Sequence, residues 1–408
     1  MSAPAHRRRA LRVLVAGGGV AGLAAALALA RAGHRVLLAE RRGDTGALGA
    51  GIQLSPNATR CLAALGVLAR LEAAAFRPRA AVLRDGRDGR IVYRAALGSA
   101  AEARWGAPYL HIHRGDLVAA LAAAAGEAGV EIRTATAVAP PAAIPASGPL
   151  TLTLEEEGAC EDREADLLVA ADGLGSRLRP AIAGPAEPRF TGQTAWRACL
   201  PADRIAADSI APEATVWAAP GRHLVSYYIR GGALLNLVAV EEATAWQGES
   251  WAEPGDPAAL RAAFADFHPA VTAALDAVEK PLLWGLFERP APPAWSRGAA
   301  VLIGDACHPM LPFMAQGAAM GIEDATVLAR CLDAEAAIPA ALTRFERLRR
   351  PRTTRVQAVS RANGRMFHRA DGLARTASFA GIAAVSRLAP ALAAGRLDWL
   401  YGHDATRG

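Results

Sequence analysis

The sequence predicts an α/β protein with an inserted α+β domain built on an antiparallel sheet and a helical C-terminal segment. Three observations predict it. Apolar runs at 11–16, 35–39, 164–171 and 299–303 are separated by helical patterns, as a parallel sheet requires. From Phe190 to Phe287 the pattern changes to short β-rich segments joined by tight turns. Beyond Leu332 the periodicity is helical almost to the end.

The run 11–16 leads into Gly17-Gly18-Gly19-Val20-Ala21-Gly22, then a helix of Ala and Leu to about Arg31. Gly33 stops that helix, and a second strand over 35–39 ends at Glu40. G-x-G-x-x-G between a strand and a helix is the context in which the motif means dinucleotide binding and a Rossmann-like domain. Gly17 makes the tight turn, Gly19 lets the backbone approach a diphosphate, and Gly22 lets helix and strand pack closely. The helix N-terminus offers free N–H groups to the phosphates. Glu40 stands where a carboxylate can accept both hydroxyls of an adenosine ribose, which leaves FAD and NAD equally open. The glycine-rich loop Gly46 to Gly51, followed by Ile52-Gln53, permits close approach to a flat ligand; otherwise it is a plain surface loop. Residues 80–94 pattern as a hairpin turned at Asp85-Gly86 or Asp88-Gly89. Arg114, just before a helix running to Ala125, is placed to reach a cofactor phosphate or ribityl chain, or is simply exposed at a helix start.

A strand over 130–133 precedes a Pro/Ala linker at 139–149, after which 151–154 resumes the sheet. The buried run 164–171 delivers Asp172-Gly173 at its carboxyl end, with Ser176 and Arg179 following at helical spacing. The run 299–303 delivers Gly304-Asp305 in the same way. Pro309 and Pro312 force an irregular loop, and a helix resumes near Gln316-Gly317. Its positive N-terminal end suits an anionic ring, such as a reduced flavin. Two carboxylates at strand ends plus the glycine turn imply one extended ligand lying across several strand ends.

In the antiparallel region, period-2 alternation puts His223, Val225 and Tyr227 on one face, with Trp196-Arg197 and Trp217 on other strands. A His and a Tyr on one face can hydrogen-bond an aromatic substrate and manage its phenol proton; an ordinary packed pair fits the pattern as well. The Arg-rich helix beyond Leu332 (Arg344, Arg347, Arg349, Arg350, Arg352, Arg355) is expected to present a solvated face. The tail around Trp399 and Tyr401 is expected to dock on the body. The organisation expected is 1–79, 106–185 and 289–345 as the dinucleotide-binding domain, 80–105 as a substrate-side hairpin, 186–288 as the substrate domain, and 346–408 as the C-terminal helical segment.

With 408 residues and 52% apolar content there is enough chain for a large core. The net charge of +6 comes almost wholly from Arg, with Lys280 the only lysine, and no basic stripe is interleaved with aromatics. Compositional bias therefore explains the charge better than nucleic-acid binding does. Cys61, Cys160, Cys199, Cys307 and Cys331 are scattered without metal or disulfide spacing, which predicts a reducing, cytoplasmic setting. The Arg7-Arg8-Arg9 lead-in is not followed by an unbroken apolar stretch, so neither a signal peptide nor a membrane span is expected.

Together the glycine turn, the Asp172-Gly173 segment and the Gly304-Asp305 segment resemble the single-component, FAD-dependent aromatic hydroxylases of the p-hydroxybenzoate-hydroxylase fold. The similarity is greatest to the salicylate-hydroxylase-like and 6-hydroxynicotinate 3-monooxygenase-like branch. It extends over nearly the whole chain, including Gly49-Ala50-Gly51-Ile52-Gln53, Trp295-Ser296-Arg297-Gly298 and Asp398-Trp399-Leu400-Tyr401-Gly402. The resemblance implies bound FAD, NADH or less favourably NADPH as a transient co-substrate, and hydroxylation by O2 of a small aromatic substrate through a flavin C4a-hydroperoxide. It implies that Glu40 binds the adenosine ribose, Arg114 the FAD chain and Asp305 the ribityl group, while Asp172 serves flavin and nicotinamide access. The cofactor set is Gly17, Gly19, Val20, Ala21, Gly22, Glu40, Arg41, Ala50, Gly51, Gln53, Arg114, Asp172, Asp305, Pro312, Gly317 and Ala318. The substrate set is Trp196, His223, Tyr227, Pro309 and Met310, with His223, Tyr227 and Pro309 catalytic. Tyr228 and Gly175 depart from the family's usual pattern, which bears on the substrate more than on the reaction. The expected assembly is a monomer or homodimer. The alternatives are an FAD-dependent epoxidase or oxidase, or a flavoprotein redox sensor that does not hydroxylate.

Overall fold

A computed structural model describes residues 10–43, 50–246 and 253–407. The Arg triplet of the lead-in and Gly46 to Gly49 of the glycine-rich loop lie outside the described residues. Two sheets organise the rest. In the six-stranded sheet the order is Ser296–Arg297, Ala300–Leu302, Leu167–Ala170, Arg12–Ala16, Arg35–Ala39 and Glu131–Arg133. All pairings are parallel except the short Ser296–Arg297 edge. The interior strands are apolar on both faces because helices cover both: Val13, Val15, Leu168, Val169 and Val301 are all fully or almost fully buried. Helix Val20–Arg31 packs its Ala and Leu side chains against this sheet and helix Gly317–Ala334.

The second sheet has eight strands in the order Glu253–Pro254, Leu282–Glu288, Arg189–Pro201, Leu234–Glu242, Arg222–Ile229, Ala214–Ala219, Ala80–Asp85 and Ile91–Ala96. It is antiparallel except where Ala214–Ala219 runs parallel to the hairpin strand Ala80–Asp85. The hairpin expected over 80–94 is therefore an extension of the large sheet. Helices Pro257–Ala263 and Pro269–Asp276 cover one face, burying Leu260, Phe264, Val271 and Leu275 with Trp196, Trp217 and Leu224. The other face meets the parallel-sheet half of the molecule and the C-terminal helices.

Four expectations need correction. The segment around 151–154 does not rejoin the parallel sheet; Leu150–Glu156 pairs with Ala137–Val138 and Ala159–Ala165 in a separate three-stranded sheet. The run 164–171 is accordingly two strands, because Ala159–Ala165 is polar and exposed while Leu167–Ala170 is buried. The helix after Asp172 is only Arg179–Ala183, with Ser176 Oγ accepting from Arg179 N at 3.0 Å. Helix Ile338–Phe367 is also not simply a solvated Arg face: Arg349 is 1% exposed and Arg352 is held at its edge. Among the described residues no helix is long and apolar enough to cross a membrane. The tail docks as expected, burying Leu400 and Tyr401, with Trp105 edge-on to Tyr401.

Candidate active site

At the first strand end the backbone geometry admits only glycine. Gly17 has φ +110°, and its N–H donates to Ala39 O at 2.8 Å. A Cβ there would lie 2.5 Å from Ala171 O, and one on Gly22 would lie 1.9 Å from Gly17 O. Around Gly19, by contrast, an added Cβ meets nothing within 4 Å among the described residues, so its missing side chain opens the approach to the N-terminus of helix Val20–Arg31. That helix has no acidic residue in its first turn to occupy the free N–H groups of Val20 and Ala21. Glu40 ties the turn to the second strand: its Oε2 accepts from Gly18 N at 2.6 Å and its Oε1 from Arg42 N at 2.8 Å. Arg41 is exposed beside it. A close-approach cradle at a helix N-terminus, with a carboxylate at the next strand end, fits the diphosphate and ribose of FAD.

The two downstream carboxylates differ. Asp172 folds back on its own loop, accepting from Ser176 Oγ at 2.6 Å, Arg177 N at 2.8 Å and Leu178 N at 3.2 Å. Burial pushes its carboxyl up, and those hydrogen bonds oppose the rise. Asp305 faces the cleft: its side chain is exposed there, although its chain neighbours are buried. The cleft walls are close enough that desolvation still raises its carboxyl, against His308 and Arg114. A Cβ on Gly304 would sit 2.8 Å from Ala21 Cβ, and one on Gly317 would sit 3.8 Å from Asp305 Oδ1. The glycine turn, Asp305 and the start of helix Gly317–Ala334, with Ala318 partly open, therefore meet in one place. Arg114 opens helix Arg114–Glu127, donates from its backbone N to Ala50 O at 2.8 Å, and extends its exposed side chain within electrostatic reach of Asp305.

Beneath the cleft lies a buried ionic base. Arg349 donates to both Glu323 and Asp324, and Arg352 donates to Glu323 twice at 2.7 Å. Asp324 Oδ2 also accepts from Gly304 N at 2.9 Å and lies 2.6 Å from His308 Nε2, which fixes the Asp305 turn. Glu323 Oε1 accepts from Asn57 Nδ2 at 2.7 Å, and Gln316 Nε2 donates to Ser55 Oγ at 2.9 Å. The proline loop is held from helix Ile338–Phe367: Gln357 donates to Pro309 O, Ser360 to Leu311 O and Asn363 to Phe313 O. Pro309 is buried, Met310 half-buried and Pro312 exposed.

The large sheet turns a trough toward this loop. Register aligns Arg197, Val238, Val225 and Val216 across four strands on one face. All four are partly open, while the row on the His223 side is closed and the row on the Tyr227 side is closed apart from the exposed Cys199. His223, Ala195, Val240 and Ala218 form one closed row, and Tyr227 and Asn236 lie in the other. Four residues of strand separate His223 from Tyr227 by about 13 Å, and strands lie about 4.8 Å apart, so the valine floor has the dimensions of a single aromatic ring. His223 packs against Phe313 of the proline loop at 5.3 Å and Phe367 at 5.2 Å. Burial, reinforced by His368, pushes its imidazole well below the usual range, so it is neutral. Tyr227 touches the flat-ligand loop, since a Cβ on Gly51 would lie 2.5 Å from its ring; burial raises its phenol. Asn236 Oδ1 accepts from Gly51 N at 2.8 Å, and Gln53 accepts from Tyr109 Oη at 2.7 Å.

The structure thus brings His223, Tyr227, Pro309 and Met310 to one side of the molecule and excludes Trp196. Trp196 lies on the opposite face, 5% exposed, and donates to Glu241 Oε1 at 2.6 Å. The physical reason is alternation: its neighbour Arg197 takes the trough side. Arg197 stacks on Trp284 at 4.8 Å, its Nε has no hydrogen-bond partner among the described residues, and burial lowers its guanidinium. His111 was also missed as a site residue. Its ring packs on Tyr227 at 4.8 Å, and burial holds it neutral, down to about 3. A surface pocket of about 270 Å³ lined by Arg179, Arg189 and Pro290 shares no lining residue with the trough.

A nucleotide cradle beside a separate, ring-sized trough defines a cofactor-dependent enzyme acting on a small flat substrate. Comparison with known proteins gives the class its name. Residues 10–361 match the family model described as an FAD binding domain. A 3-amino-4-hydroxybenzoate 2-monooxygenase of Streptomyces platensis is 38% identical over 97% of this chain and 96% of its own. A 6-hydroxynicotinate 3-monooxygenase of Bordetella bronchiseptica is 36% identical over 86% of this chain and 91% of its own. A salicylate hydroxylase solved as a substrate complex superposes with a TM-score of 0.80 at 26% identity, covering 97% of this chain and 96% of that one. The chain belongs to the family of FAD-dependent aromatic monooxygenases, with NAD(P)H as co-substrate. The relatives do not favour the oxidase, epoxidase or sensor alternatives.

Proposed function

We propose that this enzyme hydroxylates a small phenol bearing a carboxylate, of the hydroxybenzoate, salicylate or hydroxynicotinate type. One observation carries the reading: a valine-floored trough flanked by a neutral His, a buried Tyr and an Arg whose Nε has no hydrogen-bond partner among the described residues. Arg197 would pair with the carboxylate, and its stacking on Trp284 holds the guanidinium plane in place. Tyr227 and His223 would orient the phenol and favour its ionised, more electron-rich form. Pro309 and Met310 would wall the trough on the cofactor side, with Pro309 fixed through its carbonyl by Gln357.

For the cofactor, Gly17, Gly19, Gly22, Val20 and Ala21 would hold the diphosphate, and Glu40 with Arg41 the adenosine end. Arg114 and Asp305 would hold the chain, and Asp172 would support the same cleft. Ala50, Gly51, Gln53, Pro312, Gly317 and Ala318 would border the ring. Bound FAD supplies the activation of O2 that no side chain here can supply. The start of helix Gly317–Ala334 would favour negative charge on the ring, and the buried walls would exclude water. The other expected partners are O2 and NAD(P)H, in a cytoplasmic monomer or homodimer. The test is a screen of hydroxybenzoates, salicylate, 3-amino-4-hydroxybenzoate and hydroxynicotinates for substrate-stimulated NADH consumption, with product identification. One of these is expected to give a hydroxylated product matching the NADH consumed. Peroxide matching the NADH with every compound would overturn the reading.

A further inference from the structure

Resting on the hydroxylase reading above, we propose that His223, His368 and Glu242 form a proton path from the substrate trough to solvent. His223 Nδ1 lies 2.7 Å from His368 Nε2. His368 caps helix Ile338–Phe367, and its carbonyl is fixed by Gly221 N at 3.1 Å. Its other nitrogen, Nδ1, lies 3.5 Å from Glu242 Oε1, whose side chain is 62% exposed. A small swing of that exposed carboxylate closes the gap. Three groups therefore connect a fully buried ring on the trough wall to bulk water.

The surroundings suit transfer rather than storage. Among the described residues, the titratable groups in contact with His368 are His223 from strand Arg222–Ile229 and Glu242 from strand Leu234–Glu242. Phe313 and Phe367 otherwise surround the pair, and Gln193 from strand Arg189–Pro201 reaches His368 Nδ1 at 3.3 Å. Burial lowers both imidazoles, with Glu242 partly opposing the effect at His368, so each ring is neutral and free to accept.

One transit balances as follows. The phenolic O–H breaks, its proton bonds to His223 Nε2, and the substrate keeps the electron pair as phenolate. The Nδ1 proton of His223 passes to His368 Nε2. The Nδ1 proton of His368 leaves to the Glu242 carboxylate and then to water. Both rings have now exchanged tautomers, and the bare Nδ1 of His368 accepts from the Gln193 amide. A reverse transit, when the hydroxylated product is reprotonated, resets both rings.

The experiment mixes FAD-loaded enzyme without NADH against 3-hydroxybenzoate and 3-amino-4-hydroxybenzoate in a stopped-flow cell with a pH-indicator dye. Wild type is expected to release a proton on binding at least one of them. His368→Phe keeps a ring but no nitrogen. It should slow that release by about tenfold or more while substrate affinity stays within about twofold, and displace the pH profile of hydroxylation upward. Glu242→Gln, on the surface and safe for folding, should slow release by about threefold, with added imidazole restoring it. Wild-type release rates and pH profiles in both variants would overturn the path while leaving the hydroxylase reading intact. If His368→Phe does not fold, an unchanged rate in Glu242→Gln, insensitive to imidazole, overturns the path alone. Should wild type hydroxylate a screened phenol yet release no proton on binding it, the path is overturned; should it hydroxylate none of the screened compounds, the substrate reading fails and the path falls with it.

Discussion

The glycine turn and the valine trough face the same cleft but are made of different material. The turn is six consecutive residues whose shape is set by backbone: Gly17 and Gly22 are needed because any Cβ would strike a carbonyl. The trough takes one residue from each of four strands, and its character depends on which side chain each strand turns inward. A nucleotide cofactor is met by N–H groups that every sequence possesses, so only the space for it has to be specified. A ring substrate is met by particular side chains, so changes there should retune rather than abolish binding.

Four substitutions sharpen or break this contrast. The largest effect is expected at the base both regions share. Arg349→Met leaves Glu323 and Asp324 buried without their central cation and should cost about 3–5 kcal/mol by denaturant unfolding, weakening flavin and substrate binding together. The same cluster sets an acid limit. Burial alone would raise both carboxyls, but Arg349 with Arg352 outweighs it at Glu323, and His308 with Arg349 at Asp324, holding each at about 2. Their folded values lie below the unfolded ones, so the stabilisation is complete above about pH 4 and lost as the pH falls toward about 2. Wild-type Tm should fall across that window, and by less in Arg349→Met.

Next, Gly22→Ala drives a Cβ into Gly17 O and should cost about 3 kcal/mol or lose flavin outright, read as flavin content of the purified protein. Arg197→Gln should leave flavin content alone and raise KM for carboxylated phenols by roughly 10- to 100-fold, the worth of a charge-assisted hydrogen bond of about 1.5–3 kcal/mol. A matching loss of flavin would break the separation of the two regions. Smallest, Trp196→Phe on the opposite face should keep KM within about twofold and lower stability by about 1 kcal/mol, for its lost bond to Glu241.

The same contrast explains what was legible in the sequence. The turn, Glu40, the two strand-end aspartates and the helix beginning at Gly317 are specified by residues close together in the chain, and local pattern revealed them. Period-2 alternation also placed His223 and Tyr227 on one face correctly. It could not choose between Trp196 and Arg197, because a one-residue difference exchanges the faces and only pairing with Val238 fixes which side meets the trough. Arg349 was indistinguishable from its exposed neighbours, since its partners lie on another helix. His368 and His111 acquire meaning only from strands distant in sequence.

The hold of Gln357, Ser360 and Asn363 on the proline loop has a consequence for biosynthesis. Those three side chains are translated after both sheets are complete, yet they fasten the wall against which the coenzyme ring would rest. A nascent chain therefore lacks a finished berth until helix Ile338–Phe367 has been made.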